Sequence, residues 1–269
     1  MDFFSLLGIG LLAGIVAGLL GVGGGIIFTP VLFVLFDEAG VENPVIWTIG
    51  SGLFCTFVAT TGSTIRQYVQ NNMFWSEGIK LGVLGSIGVF LGKLIVTSPY
   101  YNRVSFVLFF TAMLVYVSFM MIRRGRDVHD EYERDFGVLG WLGAFFTGGA
   151  GGFVAALAGV GGGGIMVPIM NTLYKQPFRK AVSISQLGMT IMVATGWIQL
   201  ALLENPTTAI SPVTLGYVDF GAAFPLSLGG LIGGFGGALL NHQIPRRYLQ
   251  IGFALLTLAV ATKLLTGIL

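Results

Sequence analysis

A glycine-rich stretch of ten residues occurs twice in this chain, once in each half. Gly21 to Pro30 reads GVGGGIIFTP, and Gly159 to Pro168 reads GVGGGGIMVP. Each copy follows an apolar run with the length of a helix and precedes a shorter apolar segment. Further residues match at corresponding positions of the two halves: Ser51 with Ser185, Thr61-Gly62 with Thr195-Gly196, and Trp75, Gly85 and Gly88 with Phe220, Gly230 and Gly233. The repeat therefore covers whole halves of the chain.

The composition is that of a protein whose solvent is the lipid bilayer. Hydrophobic residues make up 54% of the chain and charged residues only 10%, too few to cover the surface of a soluble domain. The single cysteine, Cys55, cannot form an intramolecular disulfide or a thiolate cluster. The sequence also lacks a basic face with interleaved aromatic residues and any convergent nucleophile and base. We therefore predict no nucleic-acid partner, no metal, no cofactor, no catalytic residues and no enzymatic activity.

Hydropathy divides each half into five apolar runs. They cover residues 3–20, 24–36, 45–69, 75–96 and 103–122 in the first half, then 137–158, 163–174, 180–203, 217–240 and 247–267 in the second. The sequence thus predicts an all-α integral membrane protein with a first transmembrane repeat over 1–122, a polar cytoplasmic linker over 123–136 and a second repeat over 137–269. Ile26 to Phe36 reaches only ~17 Å, against ~30 Å of hydrocarbon. We expect a half-length or re-entrant helix after each glycine turn.

The basic residues favour one topology. If the first two runs of each half go down and back as a pair, one side of the membrane receives most of these residues, and only Lys93, Arg103 and Lys263 fall opposite. The positive-inside rule makes that side the cytoplasm, with both termini extracytoplasmic in a multi-pass plasma-membrane protein. Five elements is an odd number, so the two repeats are expected to have inverted topology. The residues assigned to the cytoplasmic side are Arg66, Arg123, Arg124, Arg126, Arg134, Lys175, Arg179, Lys180, Arg246 and Arg247.

The paired glycine turns are the strongest candidate site. Backbone without Cβ can approach a ligand closely, and the first N–H groups of the helix that follows have no partner within that helix. Two helix N-termini that converge from inverted halves suit a small anion without any buried Lys or Arg. The alternative is that the glycines only permit a tight turn between packed helices. The candidate residues in the turns are Gly23, Gly24, Gly25, Gly161, Gly162 and Gly163.

On these residues the chain resembles the sulfite exporter TauE/SafE family of membrane permeases. The paired signature consists of Gly21, Gly23, Gly24, Gly25 and Pro30, then Gly159, Gly161, Gly162, Gly163 and Pro168. The resemblance implies transport of sulfite, thiosulfate, organosulfonates and related anions, and we expect an exporter. An uptake permease for the same anions, and a membrane scaffold or accessory subunit that transports nothing, remain as alternatives.

The third run of each half supplies polar side chains to the predicted site. Buried amides are costly to leave unsatisfied in lipid, which favours Gln186 and Gln199. Hydroxyls in membrane helices often bond their own backbone, so they point less strongly to a ligand. Thr56, Thr60 and Thr64 share one helix face, as do Gln186 and Thr190. The remaining candidates for substrate binding are Ser51, Thr61, Ser185 and Thr195.

Three further patterns give expectations about packing and energy coupling. Gly-x-x-x-Gly spacings, such as Gly88 to Gly92, fit either the interior of a protomer or a homodimer interface. The four tryptophans lie mostly near predicted helix ends and are expected to anchor the protein at the membrane interface. Every acidic residue falls near a helix end or in a loop, so no buried carboxylate is expected to carry protons. Efflux of an anion would then be driven by the inside-negative potential.

Overall fold

A computed structural model describes residues 3–20, 24–124, 139–204, 210–240 and 246–266. Within these ranges the chain forms ten helices and a short antiparallel hairpin, which confirms the all-α class. The bounds lie close to the apolar runs predicted from the sequence. The elements are α1 Phe3–Leu20, α2 Gly25–Glu38, α3 Pro44–Val69, α4 Trp75–Val96, α5 Arg103–Arg124, α6 Trp141–Ala158, α7 Gly163–Thr172, α8 Phe178–Ala201, β1 Thr214–Leu215, β2 Val218–Asp219, α9 Phe220–Leu240 and α10 Arg246–Thr266.

The protein is a multi-pass membrane protein. Among the described residues, helices α3, α4, α5, α6 and α8 are long and apolar enough to cross a bilayer. The helices that follow the two glycine turns are much shorter. Helix α2 has 14 residues and α7 has 10, which at 1.5 Å per residue gives lengths of about 21 and 15 Å.

Each half of the chain packs mainly against the other half. Helix α1 lies along α9, and α6 lies along α4, which is the same relation with the halves exchanged. The counterparts α3 and α8 also pack together, as do α5 and α10. The predicted repeat boundaries, 1–122 and 137–269, stay a prediction, and residues 125–136 of the predicted linker lie outside the described ranges.

The equivalent helices α3 and α8 run antiparallel. Thr64 and Thr190 meet at 3.1 Å between their hydroxyl oxygens, whereas earlier along α3 the Phe57 ring lies 6.0 Å from the ring of Trp197, later along α8. An antiparallel pair of equivalent helices is the relation that inverted repeats produce. The inverted topology of the repeats and the orientation of each repeat relative to the membrane stay predictions.

The glycine spacings of α4 and α9 serve close packing within the protomer. A Cβ on Gly88 would overlap the carbonyl of Gly149 in α6, and one on Gly233 would overlap the carbonyl of Leu11 in α1. Backbones that approach this closely leave no room for any side chain. The two alternatives left open by the sequence are thus resolved in favour of the protomer interior for these glycines, and a homodimer stays a prediction.

The tryptophans do not all lie at the surface, so the prediction of four interfacial anchors is wrong in part. Trp75 and Trp141 are exposed, but Trp47 is fully buried. Its ring lies against Phe36 and Tyr217. The reason is the hairpin before α9, which folds over the beginning of α3 and covers a helix end that the sequence alone would leave at the membrane interface.

Candidate functional site

The described end of the first glycine turn meets the second turn inside the molecule. A Cβ on Gly25, the first residue of α2, would lie 2.8 Å from both Cα and the carbonyl oxygen of Val160 in the second turn. Thr29 Oγ1 donates to the Gly159 carbonyl at 3.0 Å, and Thr56 Oγ1 donates to the same oxygen at 3.5 Å. The second turn is therefore held against α2 and α3 of the first repeat.

The second turn requires glycine for its backbone conformation. Gly159, Gly161 and Gly162 have φ of 71°, 82° and 73°, a region that residues with a side chain rarely adopt. Gly162 is also in close contact with α6, because a Cβ there would overlap the carbonyl of Gly151. The glycines of this turn thus fix its shape and its contact with the neighbouring helix.

The turns lie level with the middle of two membrane-crossing helices. Gly25 and Gly161 both approach Thr56, which stands halfway along α3. Gly161 and Gly163 approach Met189, halfway along α8. Both turns are therefore far from either end of these helices. Gly23 of the predicted site lies outside the described residues.

Helix α7 directs unpaired donors into this region. The N–H groups of Ile165 and Met166 donate to the Gly162 carbonyl, whereas those of Gly163 and Gly164 meet no acceptor in the described part of the chain. These N–H groups carry the positive end of the helix dipole. A cavity of about 10 Å³ adjoins the turn, lined in part by Ile26 and Gly162, with room for one water molecule. The arrangement can donate hydrogen bonds to a small acceptor without a cationic side chain.

Three of the predicted polar residues make structural hydrogen bonds elsewhere. Ser51 Oγ accepts the N–H of Asp219 at 3.0 Å, and Thr61 donates to the Phe57 carbonyl of its own helix at 2.7 Å. Thr195 donates to Ser86 Oγ of α4 at 3.1 Å. These hydroxyls hold helices and the hairpin in place, and the structure does not bring them to the glycine turns.

The other three predicted side chains carry buried atoms without a partner. Ser185 Oγ, Gln186 Oε1 and Gln199 Oε1 are shielded from solvent and make no hydrogen bond to any described residue. Ser185 is fully buried, one helical turn before Met189 on the same face of α8. A buried polar atom without a partner is costly, so these atoms retain capacity for a ligand or water.

Two side chains at the turns were not predicted from the sequence. Thr29 contacts the second turn, but the equivalent position of the second repeat is Val167, so a comparison of the two copies hides it. Met189 packs on Gly163, and nothing in an apolar run distinguishes it from core residues. A hydroxyl directly before the motif proline was the available signal for Thr29.

Two carboxylates are buried among the residues that the structure describes, so the expectation that no carboxylate is buried is wrong. Asp219 is 0% exposed and Glu77 is 6% exposed. Asp219 accepts the N–H groups of Ala222 at 3.0 Å and Ser211 at 3.1 Å, and so caps the beginning of α9. Burial raises the pKa of this carboxyl, and the hydrogen bonds from backbone N–H groups oppose the rise. The inward-folded hairpin buries a residue that hydropathy places at a helix end.

Replacing the capping carboxylate should destabilise the protein without altering the turns. Asp219→Ala leaves the N–H groups of Ala222 and Ser211 without their acceptor and is expected to lower the free energy of unfolding by about 1–2 kcal/mol, as for other N-caps. The measurement is thermal unfolding in detergent. Glu204→Ala, which removes an exposed carboxylate near the same hairpin, is the control. Equal melting temperatures for the two variants would contradict the capping role.

Comparisons with known proteins agree over nearly the whole chain. Residues 6–264 match the family described as Sulfite exporter TauE/SafE. The chain is 27% identical over 248 residues to the probable membrane transporter protein MJ0441 of Methanocaldococcus jannaschii, covering 90% of this chain and 88% of the relative. It is 24% identical to the probable membrane transporter protein YunE of Bacillus subtilis, covering 98% of each. No solved structure matches the chain.

Proposed function

Because the chain belongs to the sulfite exporter TauE/SafE family and is a membrane transporter, we propose that it exports small sulfur-containing anions. Sulfite, thiosulfate and organosulfonates are the substrates that this proposal names. The anion binds at the second glycine turn, where the N–H groups of Gly163 and Gly164 provide its donors. The observation that carries the proposal is the contact between the two turns, level with the middle of α3 and α8.

The chemistry of the turn suits an oxyanion. Two N–H groups at a helix N-terminus can bind two oxygens of one anion, and the helix dipole favours the negative charge. Buried Ser185 Oγ can add a third donor, because it makes no bond in the described structure. An amine or another cation would meet the same positive helix end and would be repelled.

The direction of transport and the orientation in the membrane belong to the same proposal. Both termini are extracytoplasmic, and the membrane potential drives the anion outward. The two buried carboxylates are already engaged, since Asp219 caps α9 and Glu77 pairs with Lys180. A transport current that follows a pH gradient at zero membrane potential would contradict this mode of coupling.

A conservative change in the turn tests the substrate site. A Cβ on Gly163 meets only the Met189 side chain, at 2.7 Å from Sδ and 2.9 Å from Cε, and this flexible end can move. Gly163→Ala should therefore fold, but its methyl group hinders approach to the backbone donors. We expect about tenfold slower efflux of radiolabelled sulfite from proteoliposomes, equivalent to ~1.4 kcal/mol.

The matched control for that variant is Gly149→Ala, since a Cβ at Gly149 has no neighbour within 4 Å. It should transport like the unmodified protein. Melting temperatures measured with sulfite, thiosulfate, sulfate, sulfonates, carboxylates and amines identify the substrate, because a ligand of the native state raises them. A well-folded protein that responds to none of these ions, and equal efflux by both variants, would favour the scaffold alternative.

A further inference from the structure

An ion pair lies between α4 and α8, away from the glycine turns. Lys180 Nζ is 3.1 Å from Glu77 Oε1, and the two side chains are only 13% and 8% exposed. The same ammonium lies 5.2 Å from the centre of the Phe74 ring. Both residues lie in the first turn of their helices, and a shielded ion pair of this kind adds little net stability over apolar packing, so it calls for a functional explanation.

A line of polar side chains, called the polar line below, leads from this pair towards the middle of the molecule. Lys180, Ser183, Gln186 and Thr190 follow one another along one side of α8, and the distance from Lys180 to Thr190 is about 15 Å at the helical rise. Ser183 donates to the Asn72 carbonyl, and Thr190 meets Thr64 of α3. Gln186 Oε1 lies on this line, 7% exposed as a residue and without a partner among the described residues.

The line continues along α3 to the glycine turns. Thr64, Thr60 and Thr56 succeed one another at intervals of four residues, so they share a helix face. Thr56 contacts both Gly25 and Gly161. A chain of hydroxyl and amide groups therefore joins the partly buried ammonium to the turns at the middle of α3 and α8.

The pair has no counterpart in the other repeat. With Ser185 equivalent to Ser51, the position equivalent to Lys180 is Ile46, which is buried and apolar. The fold can thus be built at this position without a charge. This asymmetry favours a role in function over a role in packing.

We propose that Lys180 is the entry site for the transported anion, and that the Glu77 carboxylate occupies this site until the anion arrives. The proposal rests on the function proposed above. The incoming oxyanion takes the place of the Glu77 carboxylate on the ammonium, so that a charge-assisted hydrogen bond is exchanged for a similar one. It then passes along the polar line to the turns. Carboxylate and substrate compete for one cation, so neutralising the carboxylate favours the anion.

Thermal unfolding at increasing sulfite concentration tests this competition in purified full-length protein. Glu77→Gln should unfold at a lower temperature without sulfite, because Lys180 is left buried without its carboxylate partner. Sulfite should restore the melting temperature, with half of the effect at a concentration about tenfold lower than in the unmodified protein, equivalent to ~1.4 kcal/mol. The double variant Glu77→Gln with Lys180→Gln should lose this gain.

Asp37→Asn provides a matched control, since it breaks an ion pair with Arg103 of 2.8 Å at a distant place on the surface. It should leave the sulfite dependence unchanged. Should Glu77→Gln not fold, Glu77→Asp keeps the charge but shortens the side chain, and a smaller gain in the same direction is expected. The inference is overturned if Glu77 variants fold and show the sulfite dependence of Asp37→Asn. A wild-type response to sulfite with no gain in Glu77→Gln refutes the entry site alone, whereas no response in any protein refutes the proposed function as well.

Discussion

Gly162→Ala should prevent the protein from folding. Alanine at φ 73° is strained by ~1–2 kcal/mol, and its Cβ would in addition overlap the carbonyl of Gly151 in α6. The atoms that this Cβ would meet belong to the Gly151 backbone and not to a flexible side chain, so relief requires α6 and α7 to separate. We expect little or no monodisperse protein after extraction in detergent, measured by size-exclusion chromatography of a fluorescent fusion.

The comparison for Gly162→Ala is again Gly149→Ala in α6, where the added methyl group has open space. That variant should give a normal yield, so the loss at Gly162 cannot come from alanine as such. A folded Gly162→Ala protein with an unchanged melting temperature would mean that the turn is not closed against α6 as described.

Gly25→Ala is expected to reduce transport more than any other change that leaves a folded protein. Its Cβ would lie 2.6 Å from Thr56 Oγ1 and 2.8 Å from the Val160 backbone, so the two turns must separate to admit it. We expect efflux at least tenfold slower and a melting temperature lower by ~5 °C. Proteoliposome flux and thermal unfolding measure the two effects.

A second substitution separates the two contacts of that methyl group. Thr56→Ala removes the hydroxyl but leaves the Val160 backbone in place, so Gly25→Ala with Thr56→Ala should recover only part of the lost stability. Residues in contact are expected to be non-additive, and the double-mutant cycle measures this coupling. Strict additivity would show that Gly25 and Thr56 do not meet, and would remove the basis for placing the turns together.

Much of the fold follows from the sequence because helices in lipid must be apolar and continuous. Apolar runs gave the bounds of α3, α4 and α8 within a few residues, and the repeated motif located both turns. Hydropathy compares each residue only with its neighbours along the chain. It therefore misplaced Trp47, which a hairpin from the other repeat covers, and Asp219, which lies in that hairpin and is buried against α3.

Only part of the site could be predicted, again because sequence patterns do not show which residues meet in space. Glycines are informative because few positions require a positive φ, and Gly161 and Gly162 have one. Hydroxyls are ambiguous, since Ser51, Thr61 and Thr195 bond to backbone or to other helices and have no place at the turns. Thr29 lies at the turns, but the second copy has no hydroxyl at the equivalent position. Comparison of the two copies therefore identifies the glycines and does not identify Thr29.

The packing of α1 along α9 has a consequence for biosynthesis. Helix α1 is synthesised well before α9, but the backbone against which its glycines fit belongs to residues 220–240. Until those residues are inserted, Gly10 and Gly14 have only lipid beside them. We therefore expect α1 to stay loosely packed in the bilayer until the second half has been synthesised.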